Sequence, residues 1–205
     1  MTLQEILAVP TAPSREEFDR DVWDSENCLS YSPDGKRVLD AENFPSEITV
    51  KDGCEVICDH VFAFQDYMAD TRLGEEIPLD ERTSYLEKIK LPSTLTHIGE
   101  GAFAECGNLL SINLPRGLLS IGEEAFVDCW QLEKLSVPGS LRRIGPRAFQ
   151  GCINLYRIRL NKALEDIGED AFDDCESLEE IQVPKGMREH FKKLLPGTLH
   201  KLIKE

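Results

Sequence analysis

Four cysteines, Cys106, Cys129, Cys152 and Cys175, fall at a strict spacing of 23 residues. No disulfide framework requires that period, and the odd total of seven cysteines argues against a closed set of pairs. Aligned on these cysteines, four segments read IGEGAFAEC (98–106), IGEEAFVDC (121–129), IGPRAFQGC (144–152) and IGEDAFDDC (167–175). A second block recurs with them: LEKIKLP (86–92), LLSINLP (109–115), LEKLSVP (132–138), LYRIRLN (155–161) and LEEIQVP (178–184). The unit L-x-x-I-x-L-P-x-x-L-x-x-I-G-x-x-A-F-x-x-C-x-x therefore repeats without gaps. A fixed period of this size signals a solenoid, in which each turn buries its apolar face only by stacking on its neighbours.

Each block has a physical reading. In L-x-x-I-x-L, Ile89 and Leu91 alternate with polar residues as one face of a strand, and Pro92 ends it. Leu95-x-x-Ile98-Gly99 is a second short extended piece closed by a glycine turn. Ala102-Phe103-x-x-Cys106 is too short for a self-supporting helix, so a single 3-10 or α turn is expected, with Phe103 inward. Stacking would then align Phe103, Phe126, Phe149 and Phe172 in one column, the cysteines in another and the isoleucines in two more.

A disguised turn precedes these. Val50 to Phe62 aligns with Leu91 to Phe103 at a constant offset of 41 residues, which leaves an acidic insertion at 63–85 carrying Tyr67 and Met68. The ends read as caps. Ser14-Arg-Glu-Glu17 is a capping-box signal, with Phe18, Val22 and Trp23 following at helical spacing. Pro33-Asp34-Gly35 suggests a hairpin between two short apolar runs. Met187, Phe191, Leu194 and Leu195 describe an amphipathic helix that would cover the last turn, stopped by Pro196-Gly197. The division expected is thus an N-terminal cap at 1–47, a solenoid at 48–184 and a helical cap at 185–205.

The unit resembles the BspA-like leucine-rich repeat of bacterial proteins. The match is close over 86–184 and looser over 48–62, and YSPDGKRVL (31–39) and VPKGMREHFKKLLP (183–196) also look like the ends of family members. The resemblance implies a leucine-rich-repeat solenoid: a right-handed, curved superhelix with a parallel strand sheet, short 3-10 or α turns and terminal caps. It also implies a protein without enzymatic activity or cofactor, binding host or partner proteins, often surface-exposed or secreted. The insertion and Asn161, where the pattern has proline, are departures from it.

Charge and termini bound the partners. With 38 acidic against 23 basic side chains the formal charge is −15, which argues against nucleic acid and against anionic lipid. No stretch approaches the length of a membrane span, so no membrane insertion is expected. Met1 to Pro10 lacks the basic segment of a secretory signal, so the chain as given reads as cytoplasmic, or as cell-surface or secreted once a signal has been removed.

Against that acidity, the outward residues of the strands lean basic. In L-x-x-I-x-L the positions flanking the isoleucine point away from the core. Up the stack these are Lys88 and Lys90, Ser111 and Asn113, Lys134 and Ser136, Arg157 and Arg159, then Glu180 and Gln182. Either this strip is neutralised across strands, as Glu180 would do for Arg157, or it docks an acidic protein partner. Lys88, Lys90, Asn113, Lys134, Arg157 and Arg159 are its candidate contact residues. An alternative of another class is a metal-binding or enzymatic protein using Cys58, His60 and the insertion. The offset alignment instead makes Cys54 an inward leucine position and Cys58 the turn glycine, and two cysteines with one histidine lack an evident fourth zinc ligand. The acidic run Asp166, Glu169, Asp170, Asp173 and Asp174 lacks the glycine-spaced loop of calcium sites. The four histidines are scattered, and no nucleophile-elbow, zinc-protease, phosphate-loop or dinucleotide motif occurs.

Overall fold

A computed structural model describes residues 1–63 and 85–205, so the insertion expected at 63–85 lies, apart from its two end residues, outside the described residues. The chain opens with two short helices, α1 (Leu3–Leu7) and α2 (Arg15–Phe18). A meander follows of β1 (Val22–Asp24), β2 (Leu29–Tyr31) and β3 (Arg37–Ala41). The solenoid comprises β4 (Glu47–Thr49), β5 (Val56–Ile57), β6 (Lys88–Lys90), β7 (His97–Ile98), β8 (Ser120–Ile121), β9 (Lys134–Ser136), β10 (Arg143–Ile144), β11 (Arg157–Arg159), β12 (Asp166–Ile167) and β13 (Glu180–Gln182). It ends in α3 (Arg188–Leu194), a 3-10 helix (Gly197–Leu202) and β14 (Ile203–Lys204).

Two parallel ladders run up the solenoid. The L-x-x-I-x-L blocks supply one, as β4–β6 and then β9–β11–β13, and the C-terminal β14 extends it beyond β13. The L-x-x-I-G blocks supply the other, in the order β5–β7–β8–β10–β12, and the β1–β2–β3 meander extends that sheet through β3. Both registers follow the sequence periods. Arg157 lies beside Lys134 and Glu180, while Ile48 lies beside Ile89 and Ile57 beside Ile98 across the 41-residue offset.

The third side of each turn carries the aromatic column. Phe62, Phe103, Phe126, Phe149 and Phe172 stack face to face, with ring centroids 4.9–5.7 Å apart and planes within 16°. Phe44 closes the column edge-on against Phe62 at 5.6 Å. Backbone bonds run along the same side, as from Phe103 N–H to Ala125 C=O at 2.8 Å and from Phe126 N–H to Ala148 C=O at 2.8 Å. The cysteine column does more than fill space. The thiols of Cys106, Cys129, Cys152 and Cys175 each donate to the carbonyl of the phenylalanine one turn earlier, at 3.2–3.3 Å. Burial raises the thiols of Cys129, Cys152 and Cys175, the last to about 12, so these three stay protonated and keep donating.

The turn glycines are required by proximity, not by backbone angle. A Cβ on Gly122 would lie 2.5 Å from the Gly99 backbone, one on Gly145 2.5 Å from Gly122, and one on Gly168 2.2 Å from Pro146. Successive turns touch backbone to backbone here, which fixes the spacing of the whole stack.

Three expectations need correction. Phe18, Val22 and Trp23 do not share a helix face. The Ser14–Glu17 capping box nucleates one turn only, too short to continue alone, and Val22–Asp24 pairs with β2 instead. The block at 109–115 buries Ile112 yet forms no strand among the described residues. Its flanking residues are Ser111 and Asn113, two short polar side chains that compete for backbone hydrogen bonds, where every paired block carries at least one long side chain, Glu47, Lys88, Lys134, Arg157 or Glu180. At the far end, α3 forms as expected with Phe191 buried, but after Pro196-Gly197 the chain returns as β14 and pairs with β13. Asn161 replaces proline productively: its amide donates to Pro138 C=O at 2.6 Å and Leu141 C=O at 3.1 Å, and its oxygen accepts from Ala163 N–H.

Two predictions follow from the packing. Gly145→Ala lowers unfolding free energy by about 1–3 kcal/mol because backbone must move, whereas Gly139→Ala, with open space at its Cβ, is near neutral in the same urea titration. His97 is 3% exposed, against Ile6 of α1, and burial is the main cause that lowers its pKa below 6.5. The unfolded chain therefore binds the extra proton as pH falls below about 6.5, and stability falls with it. His97→Gln should flatten the change in urea midpoint between pH 7.5 and about pH 5.

Candidate functional site

The outward positions of the L-x-x-I-x-L strands form one surface. In β6, β9 and β11 the flanking residues are exposed and the central Ile or Leu is buried, as the two-residue alternation of a strand demands. Lys88, Lys90, Lys134, Arg157 and Arg159 all stand on this face, and Asn113 joins them from the unpaired segment between β6 and β9.

The lower end of the face forms a groove of about 550 Å³, lined by Lys88 and Lys90 from β6, by Ser111 and Asn113 from the block that forms no strand, and by Glu26 and Asn27 from the cap. Asn27 also blocks the outer edge of β4, its side-chain oxygen accepting from Thr49 N–H at 2.9 Å. Lys88 Nζ meets Glu47 at 2.5 Å, and that hydrogen bond raises the lysine above its ordinary pKa. Lys90 forms no ion pair among the described residues.

Higher up, the cations group around an aromatic ring. Lys134 Nζ lies 5.2 Å and the Arg157 guanidinium 5.9 Å from the centre of the Tyr156 ring. A hydrogen bond to Tyr156 raises the Lys134 ammonium. Arg157 pairs with Glu180 at 3.3 Å, the cross-strand neutralisation considered from sequence, and Arg159 Nε donates to Gln182 at 2.8 Å. The face is thus partly neutralised: Lys88 and Arg157 have carboxylate partners, while Lys90, Lys134 and Arg159 have none within 4.0 Å among the described residues.

Sequence reasoning missed Tyr156 and Glu47. Glu47 was within reach, because the 41-residue offset places it beside Lys88. Tyr156 was not, since only the fold brings Lys134 across the turn onto its ring.

The cysteine–histidine candidate is dispersed. Cys54 and Cys58 are fully buried, and burial pushes their thiols up to about 11 and about 12. The Cys54 thiol donates to Val56 C=O at 3.3 Å. His60 sits at the solenoid's edge with Nε2 4.0 Å from Glu100, and the insertion of that alternative lies outside the described residues. Among the described residues no three histidine, cysteine or acidic side chains converge as metal ligands, and Asp166 of the acidic run is paired with Arg143 at 3.1 Å.

Stacked 23-residue turns, a parallel ladder of L-x-x-I-x-L strands and a buried Phe–Cys spine define a leucine-rich-repeat solenoid. The family described as BspA type leucine-rich repeat region (6 copies) matches residues 81–194, more than half of the 205 residues, and the chain belongs to that family. Solved structures of bacterial repeat proteins share the fold. The pneumococcal vaccine antigen PcpA is 18% identical with a TM-score of 0.63, the alignment covering 86% of this chain and 44% of that one. The leucine-rich repeat protein of T. pallidum is 19% identical with a TM-score of 0.59, covering 91% and 97%. A leucine-rich repeat protein from Eubacterium ventriosum is 22% identical with a TM-score of 0.56, covering 85% and 48%. The chain therefore spans less than half the length of the first and third of these structures. No curated protein matches it. Among the described residues no helix is long and apolar enough to cross a membrane.

The Arg157–Glu180 pair is half exposed on its arginine side, so a double-mutant cycle should return roughly 0.2–1 kcal/mol, shrinking as salt is raised. A coupling well above that range would mean the pair is a structural clamp and unavailable to a partner.

Proposed function

We propose that this protein is a non-catalytic interaction module whose outward strand face docks an acidic protein partner. The observation that carries the reading is the row Lys88, Lys90, Asn113, Lys134, Arg157 and Arg159 on one face of a chain with formal charge −15. A protein so acidic has little reason to gather cations on a single surface unless an opposite charge meets them there. Extended solenoid faces suit this task, since rigid stacking holds the side chains of successive turns at fixed spacing with little entropy left to lose. An adhesin-like role at a host or cell surface is the further extension that the family resemblance suggests.

Chemistry at the face supports binding over catalysis. Lys88 and Arg157 pair with carboxylates, Arg159 with an amide and Lys134 with an aromatic ring, and no nucleophile–base pair adjoins them among the described residues. Reversing Lys134, Arg157 and Arg159 to glutamate should weaken binding of a fluorescent glutamate-rich peptide by roughly tenfold or more. The melting temperature should stay within a few degrees, since exposed pairs contribute little to stability. Unchanged peptide affinity in a variant that melts normally would remove the docking role.

A further inference from the structure

The N-terminal cap carries a second surface, opposite in charge to the strand face. β1 is the terminal strand of the eight-stranded sheet and has β2 as its one neighbour among the described residues. Register sets Trp23 beside Ser30 and Ser30 beside Asp40. These three side chains share the sheet face turned away from the buried Leu29 and Tyr31. Asp21 and Glu42 lie two residues from Trp23 and Asp40 and join that face.

Phe18 completes the arrangement from the end of α2. The helix and the segment before it are held down by Arg37, which donates to Pro10 C=O at 2.7 Å and Ala12 C=O at 3.0 Å and pairs with Glu17 at 2.9 Å. Phe18, Asp21, Trp23, Ser30, Asp40 and Glu42 line a cleft of about 240 Å³. Ser30, 4% exposed, forms part of its lining, with its hydroxyl donated to Asp21. Phe18 and Trp23 are left 43% and 49% exposed. Asp21, Asp40 and Glu42 form no ion pair among the described residues.

Two exposed rings beside three uncompensated carboxylates make a site for a cation, attracted by the ring faces and the acids together. The free strand edge adds main-chain donors and acceptors beside it. Residues 1–47 hold 11 acidic and 4 basic side chains, so an acidic strand is repelled and a basic one drawn in. We propose that β1 takes up an extended basic segment of a protein partner. The segment pairs its backbone with the strand edge and seats a lysine or arginine side chain in the cleft of Phe18, Trp23, Asp21, Asp40 and Glu42. A small free amine could use the cleft but not the edge, which is why a peptide fits the two together.

The test uses the full chain carrying Trp130→Phe, so that Trp23 alone reports, and a synthetic lysine–threonine alternating peptide of about ten residues. Trp23 emission should change saturably with this peptide and not with its glutamate–threonine counterpart. Asp40→Asn with Glu42→Gln should raise Kd roughly tenfold at unchanged melting temperature, and N-methylation of alternate peptide amides should raise it similarly. Charge reversal on Lys134, Arg157 and Arg159 should leave this binding intact, which separates it from the strand-face proposal. No saturable binding, or a Kd indifferent to Asp40→Asn with Glu42→Gln, would overturn the inference. So would equal binding of the N-methylated peptide, which reduces the site to a bare cation pocket. Self-association of the protein that the same double variant abolishes would assign the patch to a second copy and overturn it as well.

Discussion

Backbone-to-backbone contact at the turn glycines governs this molecule. Gly99, Gly122, Gly145 and Gly168 sit so close to the preceding turn that a single added carbon would fall inside van der Waals contact. Because the turns meet there, the other columns are forced into register 23 residues apart: phenylalanine on phenylalanine, isoleucine beside isoleucine, thiol onto carbonyl. Extra chain is tolerated where it loops out between blocks, since Ile48 and Ile57 still pair with Ile89 and Ile98, and Phe62 still stacks on Phe103, across the 41-residue offset. Long side chains in the core then matter through their stacking more than through their individual burial.

The same register arranges charge. A residue on the strand face has as neighbours the residues one period before and after it, so composition at one repeat position becomes a column on the surface. Arg157 meets Glu180 in this way, and the second ladder does likewise, with Arg142 beside Glu165 and Arg143 beside Asp166. Where the next turn lacks a carboxylate, as at Lys134, the cation finds the Tyr156 ring. The solenoid is acidic in sum and sided in detail, with cations on the strand face and uncompensated acids on the N-terminal cap.

The caps obey different physics from the repeats. A repeating turn is specified by its neighbours, but an end turn must cover apolar surface with residues of no fixed period. Arg37 straps the leading segment across the sheet, Phe44 closes the aromatic column, and β14 returns to shield β13. Each solution is idiosyncratic, and the exposed aromatic edge of β1 is part of the N-terminal one.

Much of this was legible in the amino-acid order. The period, the Phe and Cys columns, the 41-residue offset and the outward placement of Lys88, Lys90, Lys134, Arg157 and Arg159 follow from spacing, because in a solenoid separation along the chain translates into height along the stack. Tertiary structure alone decided the rest. It showed the thiols as donors to the preceding turn, the missing strand at Ser111–Asn113, and Val22 and Trp23 on an edge strand while Phe18 ends a one-turn helix. These depend on which backbone groups find partners across the fold, and a short capping box or an apolar spacing cannot decide that competition locally. Repetition makes a sequence predictable, and where repetition stops only the packed chain settles the outcome.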